Sequence, residues 1–219
     1  MRILFRVRNQ WKIGWFITIN MGMLVTSSCM NYGTFHTADV LDKNQSSITG
    51  AYSHVKNYAD KDHTEIDFYS MMARYGLGGN FDAGITFAFA KPFSSVLTTD
   101  GKYQFLHDSL KLAVDFGLTY SGLFLMPESR GSLIFQPALI GGYKRFYLGY
   151  KYNRWILLTN IADEPIVSYS TFFAGFSFGQ NLRIIPEISL HYNPKYLPKP
   201  ILSVGIGICY QPPAGTKVD

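Results

Sequence analysis

Cysteine is scarce in this chain: only Cys29 and Cys209 are present among 219 residues. Two thiols cannot form a disulfide framework, so burial and backbone hydrogen bonds must hold the fold. Charge is scarce as well, at 16% Asp, Glu, Lys and Arg. Four of the cations, Arg2, Arg6, Arg8 and Lys12, crowd the N-terminus, and setting those four aside lowers the formal charge from +5 to +1. A nearly neutral body offers no electrostatic footprint for nucleic acid, despite a sequence pI of 9.1. There is no phosphate-cradling glycine loop, and His36 and His54 have no ligand-like spacing with a partner, so no cofactor and no metal site is expected. The apolar run Ile13 to Val25 is short and interrupted by Asn20, which argues against a spanning helix. Nothing in the composition marks a linker or a second domain.

What the chain does have is alternation. Leu110, Leu112, Val114, Phe116, Leu118 and Tyr120 fall on one face of a period of two, with Lys111, Ala113, Asp115, Gly117 and Thr119 on the other. That is the period of a strand with one greasy side and one small or charged side. The same design recurs in Phe81 to Ala90, Arg145 to Trp155, Thr171 to Phe178, Arg183 to Asn193 and Leu202 to Tyr210. Weaker patterns cover Ser46 to Val55, Glu65 to Leu77, the short Gly101 to Leu106, and Ser132 to Gly142, where Pro137 would cost a ladder hydrogen bond. The expected fold is all-β, a single closed antiparallel transmembrane barrel of about ten strands, with eight as the alternative. Connections after the odd strands read as long and polar, including Lys91 to Asp100 and a loop through Pro194, Pro198 and Pro200. Those after the even strands read as tight turns, at Gly78-Gly79-Asn80, His107-Asp108-Ser109, Gly141-Gly142-Tyr143 and Gly179-Gln180-Asn181. Long loops at one end and short turns at the other suit an outer-membrane barrel.

The basic cluster and the apolar run read as a secretory signal over residues 1–28. Its ending, Leu24-Val25-Thr26-Ser27-Ser28-Cys29, resembles a bacterial lipobox, which implies lipidation of Cys29; ordinary cleavage near Ser28 is the alternative. Residues 29–45 read as a periplasmic leader to the barrel rim, residues 46–211 as the barrel, and residues 212–219 as a polar tail. Cys29, Tyr32, Gly33, Thr34, Phe35, Thr37, Ala38 and Leu41 in the leader resemble the entry segment of small bacterial outer-membrane β-barrel proteins. The turns Tyr75-Gly76-Leu77 and Asn80 to Gly84 resemble the inter-strand turns of such barrels. This resemblance implies an outer-membrane location, with membrane lipid and the barrel-insertion machinery as partners.

Arg or Lys facing lipid at the midplane costs about 2–4 kcal/mol, so the ionic face should point inward. Arg74, Asp82, Lys111, Asp115, Arg145, Lys151, Glu187 and His191 are therefore the expected lumenal polar cluster, with both signs present to neutralise one another. Glu187, Ser189 and His191 share a face, but alternate residues lie about 6.6 Å apart along a strand, too far for a nucleophile and its base. Asp62, His63, Glu65 and Asp67 read as a solvated rim. The leading expectation is a non-enzymatic, porin-like outer-membrane barrel with a structural, surface-interaction or narrow small-solute role. The alternatives are an outer-membrane lipid-modifying enzyme and a secreted lipid-binding barrel with its apolar face inward.

Overall fold

The computed structural model describes residues 33–56, 65–90, 94–122, 132–157, 168–194 and 197–213. Residues 1–28, read above as a signal, and Cys29, Asp62 and His63 lie outside them. Eleven strands follow in order: β1 (Ser46–Lys56), β2 (Glu65–Gly78), β3 (Phe81–Ala90), β4 (Ser94–His107), β5 (Leu110–Gly122), β6 (Ser132–Tyr143), β7 (Phe146–Leu157), β8 (Ser168–Phe176), β9 (Phe178–Gly179), β10 (Leu182–Asn193) and β11 (Leu197–Tyr210). Each pairs antiparallel with its neighbour, and β11 pairs with both β10 and β1, which closes the sheet. Because β8 and β9 both pair with β10, they are one stave interrupted at Ser177, and the barrel has ten staves.

Prolines explain the breaks. The ladder between β6 and β7 stops at Phe135 and resumes at Ala138, skipping Gln136 and Pro137, while the ladder to β5 runs through unbroken. The interruption at Ser177 falls opposite Ile185 and Pro186, between the pairs Glu187–Gly175 and Ile184–Phe178. A residue without an N–H cannot supply a rung, so the partner strand gives way beside it. Pro198 and Pro200 lie within β11, not in the expected loop. They sit beyond the last β1–β11 pair, Lys56–Leu202, where among the described residues β11 has a neighbour on one side only.

Other boundaries differ from the sequence reading. The expected loop Lys91 to Asp100 is mostly strand, because β4 begins at Ser94 and pairs with β3 from Ser94 to Tyr103. Asp is a poor strand former by propensity, yet here Thr98 and Asp100 face the polar interior while Leu97 points outward, as the barrel wall requires. The turn after β6 is Lys144-Arg145, with Lys144 at φ 54, and Gly141 to Tyr143 stay in the ladder. Asn80 at φ 65 and Gly79 at φ 63 form the turn after β2 as expected.

The wall faces the way the alternation implies. Leu110, Phe116, Leu118, Leu148, Ile188 and Val204 point outward and are exposed, while Ala113, Asp115, Thr119, Lys151 and Glu187 are buried inside. Large aromatic side chains gather outside near both ends: Tyr75, Phe81, Tyr103, Tyr143, Phe146 and Tyr210 toward the tight turns, and Tyr52, Tyr69, Phe89 and Tyr120 toward the other end. Glycines on the inner face admit large lumenal groups. A Cβ on Gly149 would stand 2.2 Å from Cζ of Phe173, whereas one on Gly50 meets nothing within 4 Å. Gly149→Ala should therefore destabilise the barrel by about 1–3 kcal/mol through overpacking, and Gly50→Ala should not. Urea unfolding midpoints of the two variants check this.

Candidate functional site

The lumen is not an empty pipe. Residues 33–41, expected to lie outside as a leader, run inside the barrel from its middle to the mouth at the tight turns. Thr34, Phe35, Ala38 and Leu41 are buried there. The reading of residues 29–45 as a periplasmic leader is thus corrected for this part: it is a plug. A segment with no strand period has no ladder of its own, so every backbone polar group it carries inward must be met by the wall.

The wall meets them with charges. Glu187 of β10 accepts hydrogen bonds from the backbone N–H of Thr34 at 2.7 Å and of Phe35 at 2.8 Å, and from the Thr34 hydroxyl at 2.9 Å. The hydroxyls of Tyr147, at 2.8 Å, and Ser189, at 3.3 Å, donate to the same carboxylate. Phe35 is held at φ 44, a left-handed conformation that an aromatic residue rarely adopts, so these bonds fix a strained turn. Lower down, the Lys102 ammonium donates to the carbonyls of Thr37, at 3.1 Å, and Asp39. The Val40 N–H donates to Gln104 at 3.1 Å, and the Leu41 N–H to Asp82 at 3.0 Å. Lys111 pairs with Asp39 of the plug at 2.5 Å.

A second set of contacts neutralises the wall itself. Arg74 of β2 donates to Asp82 of β3 through Nε, at 3.0 Å, and Nη2, and to Asp100 of β4 through Nη1. Lys102 stands 3.7 Å from Asp82. His36 of the plug joins this group, with Nδ1 2.8 Å from Asp115 and Nε2 3.2 Å from Nη1 of Arg74. The guanidinium can only donate, so Nε2 accepts and Nδ1 carries the proton it gives to Asp115.

Above the plug, a belt of neutral polar side chains crosses six staves. Thr98 and Thr119 share a bond of 2.7 Å, Thr119 donates to Gln136 at 2.7 Å, and Gln136 donates to Asn153 at 2.7 Å. Asn153 then donates to Thr171 at 3.1 Å, and Thr171 meets Nδ1 of His191 at 2.9 Å. Beyond the belt the interior turns apolar, with Val55, Phe68, Val96 and Ile201 in one cluster and Ile134, Trp155 and Tyr169 in another. Two cavities beside the plug have volumes of about 30 Å³ each, one lined by His36, Asp100, Asp115 and Lys151, the other by Asp39, Lys102 and Arg183. Such a volume holds one or two waters.

The expected lumenal residues are thus distributed unevenly. Arg74, Asp82, Asp115, Lys151, Glu187 and His191 are buried inside, and Lys111 lies at the mouth with its side chain 25% exposed. Arg145 is not in the lumen. It occupies the exposed second place of the turn before β7, because the strand starts one residue later than its alternation suggested. Ser189 bonds Glu187 while His191 bonds Thr171, so the acid, hydroxyl and imidazole are not joined as a relay. Asp100, Lys102, Gln104, Gln136 and Asn153 make lumenal contacts that the sequence reading did not single out, and His36, set aside there for want of a ligand-like partner, lies beside Asp115. On the outer face, His54 at 2.9 Å and the Tyr52 hydroxyl at 2.7 Å both meet Asp67, a polar group at the rim.

No family model matches the chain, and no curated protein does. Among solved structures it is similar to the N-terminal β-barrel domain of Pseudomonas aeruginosa OprF, at 12% identity and a TM-score of 0.40 over 78% of this chain and 99% of that one. It is similar to the translocator domain of the autotransporter NalP from Neisseria meningitidis, at 10% identity and 0.44, over 92% and 97%. Outer membrane phospholipase A from Escherichia coli stands at 11% and 0.40, over 84% and 97%. These neighbours are bacterial outer-membrane β-barrels. The likeness is one of fold. Ten staves and a plugged lumen are read from this chain's own ladders and contacts.

Glu187 is the anchor whose loss should show most. Glu187→Ala leaves the buried N–H groups of Thr34 and Phe35 without an acceptor, at a cost of roughly 1–3 kcal/mol each. Hydrogen exchange at those two amides should accelerate by at least tenfold, while Ser189→Ala leaves it nearly unchanged.

Proposed function

We propose that this protein is an outer-membrane barrel sealed by its own N-terminal segment, with a structural or surface-interaction role in the envelope rather than open passage of solutes. The seating of residues 33–41 on Glu187, Lys102, Gln104 and Asp82 carries this reading. An outward belt of Leu, Ile, Phe and Val flanked by Tyr and Phe suits a bilayer with two interfaces. Staves of 10 to 14 residues are long enough to cross one. The buried ionic groups favour the same orientation, since a barrel with its apolar face inward would bring out Asp115 and Lys151 instead of Phe116 and Leu148.

Passage of a small solute, the other form of this reading, would require the plug to leave. With the segment in place, the two cavities beside it each admit a water or two. A lipid-modifying activity has less support, because the polar groups on one strand face do not form a nucleophile–base pair.

Planar-bilayer recording tests the seal. The full chain should give no steady conductance, and a variant lacking residues 33–41 should open discrete channels; steady conductance by the intact chain would overturn the reading. The acyl tether on Cys29 belongs to the same proposal. Intact-mass measurement of membrane-extracted protein should show the mass of acyl chains, and Cys29→Ala should lose it.

A further inference from the structure

Two carboxylate oxygens in the lumen stand out. Oδ2 of Asp100 and Oδ1 of Asp115 are buried and have no hydrogen-bond partner, on side chains only 3% and 7% exposed. A buried carboxylate oxygen left without a donor is costly, and few native groups tolerate it without a water or an ion. Both residues line the same cavity of about 30 Å³, together with His36 and Met72. One ligand atom from each of His36, Asp100 and Asp115 lies within 4.8 Å of the others, a span that one ion can bridge. The local charge leans the same way once the whole layer is counted: Asp82, Asp100, Asp115 and Glu187 face Arg74, Lys102 and Lys151, one carboxylate in excess.

We propose that His36, Asp100 and Asp115 form a divalent transition-metal site at the seam between plug and wall, and that the ion latches the plug. One imidazole nitrogen and two carboxylate oxygens are the donor types that suit Zn²⁺ or Mn²⁺, with water from the cavity completing the coordination. On binding, the imidazole changes tautomer: Nδ1 becomes a ligand in place of its proton, and Nε2 carries the remaining proton, which it gives to the sulfur of Met72, at 3.0 Å, instead of accepting from Arg74. Asp82 is fully buried and holds two nitrogens of Arg74, which screens the guanidinium from the incoming charge. The ligands come from three separated parts of the chain, β4, β5 and the plug. A bound ion therefore joins residue 36 to the wall in a way that no strand pairing does.

The proposal takes the plug as seated, so it is tested on the full chain refolded in detergent, with Zn²⁺ alone as the probe. Titration calorimetry should find one Zn²⁺ per chain, and His36→Gln, Asp100→Asn and Asp115→Asn should each weaken binding at least tenfold. His54→Gln, which alters the polar group on the outer rim, should leave binding unchanged. Cobalt in place of zinc should give visible absorption bands that His36→Gln abolishes. Should a carboxamide variant fail to fold by heat-shifted gel mobility, His36→Gln carries the test, because residue 36 lies outside every strand. Binding that survives His36→Gln, or an intact chain that takes up no zinc at millimolar concentration, overturns the site. If the chain remains electrically silent in either case, the sealed-barrel reading stands without the metal.

Discussion

A backbone segment outside a helix or a sheet can be buried only if something else meets its N–H and C=O groups, and inside a barrel wall nothing else is available except side chains. That demand organises this molecule. Residues 33–41 bring backbone donors and acceptors into a space closed to bulk water, and the wall answers with Glu187, Asp82, Gln104 and Lys102, each aimed at the main chain of the plug. A carboxylate that accepts several N–H bonds is held far more firmly than an exposed one, because its remaining lone pairs are filled. The ionic residues of the lumen are therefore as much a binding surface for the plug as a set of pairs that cancel one another.

The strand wall was legible in the sequence because a period of two survives any closure of the sheet, and every long alternating run became a stave with its large apolar side outward. Register errors came at the ends, where a turn of two residues can shift by one without disturbing the pattern. Arg145 shows the consequence: a slip of one position moves a cation from the expected lumen to an exposed turn. Ser94 to Asp100 was misread for a different reason. Its inward positions carry Thr98 and Asp100, which look like loop chemistry until the wall is known to need polar groups facing a polar interior. The proline readings were partly right, since Pro137 does break one ladder and leaves the other whole.

The plug was invisible to periodicity, since it has none. Its signal lay elsewhere, in a surplus of ionic residues on the inner face that the wall alone does not use up. Lys102 and Lys111 find their acceptors on Thr37 and Asp39 of the plug, and the glycines of β11 make room for its ring. A Cβ on Gly205 would come within 2.7 Å of Phe35. Residues from β2, β3, β4 and β5 converge on one level of the barrel only because the staves are neighbours in space, and a single sequence cannot show which level each side chain reaches. For the same reason His36 had no spacing to a partner, although two carboxylates lie beside it.

The three layers of the interior differ in how reversible they are. The apolar clusters at the far end, including Val55, Phe68 and Trp155, gain from excluding water. The belt from Thr98 to His191 is neutral, and a chain of neutral hydrogen bonds that spans six staves stiffens the wall without depending on the plug. Only the layer around residues 33–41 needs them, for its charges and for the apolar cluster in which Phe35 and Ala38 pack with Met72, Ile140, Phe173 and Ile185. Withdrawing them would leave Glu187, Lys102 and Asp115 exposed to entering water, which solvates charges well, whereas the apolar and neutral layers would be little changed. Any conformational change in this barrel should therefore begin at the charged layer, where water can replace the plug's hydrogen bonds though not the apolar contacts of Phe35 and Ala38, and the neutral belt would hold the wall closed while it happens.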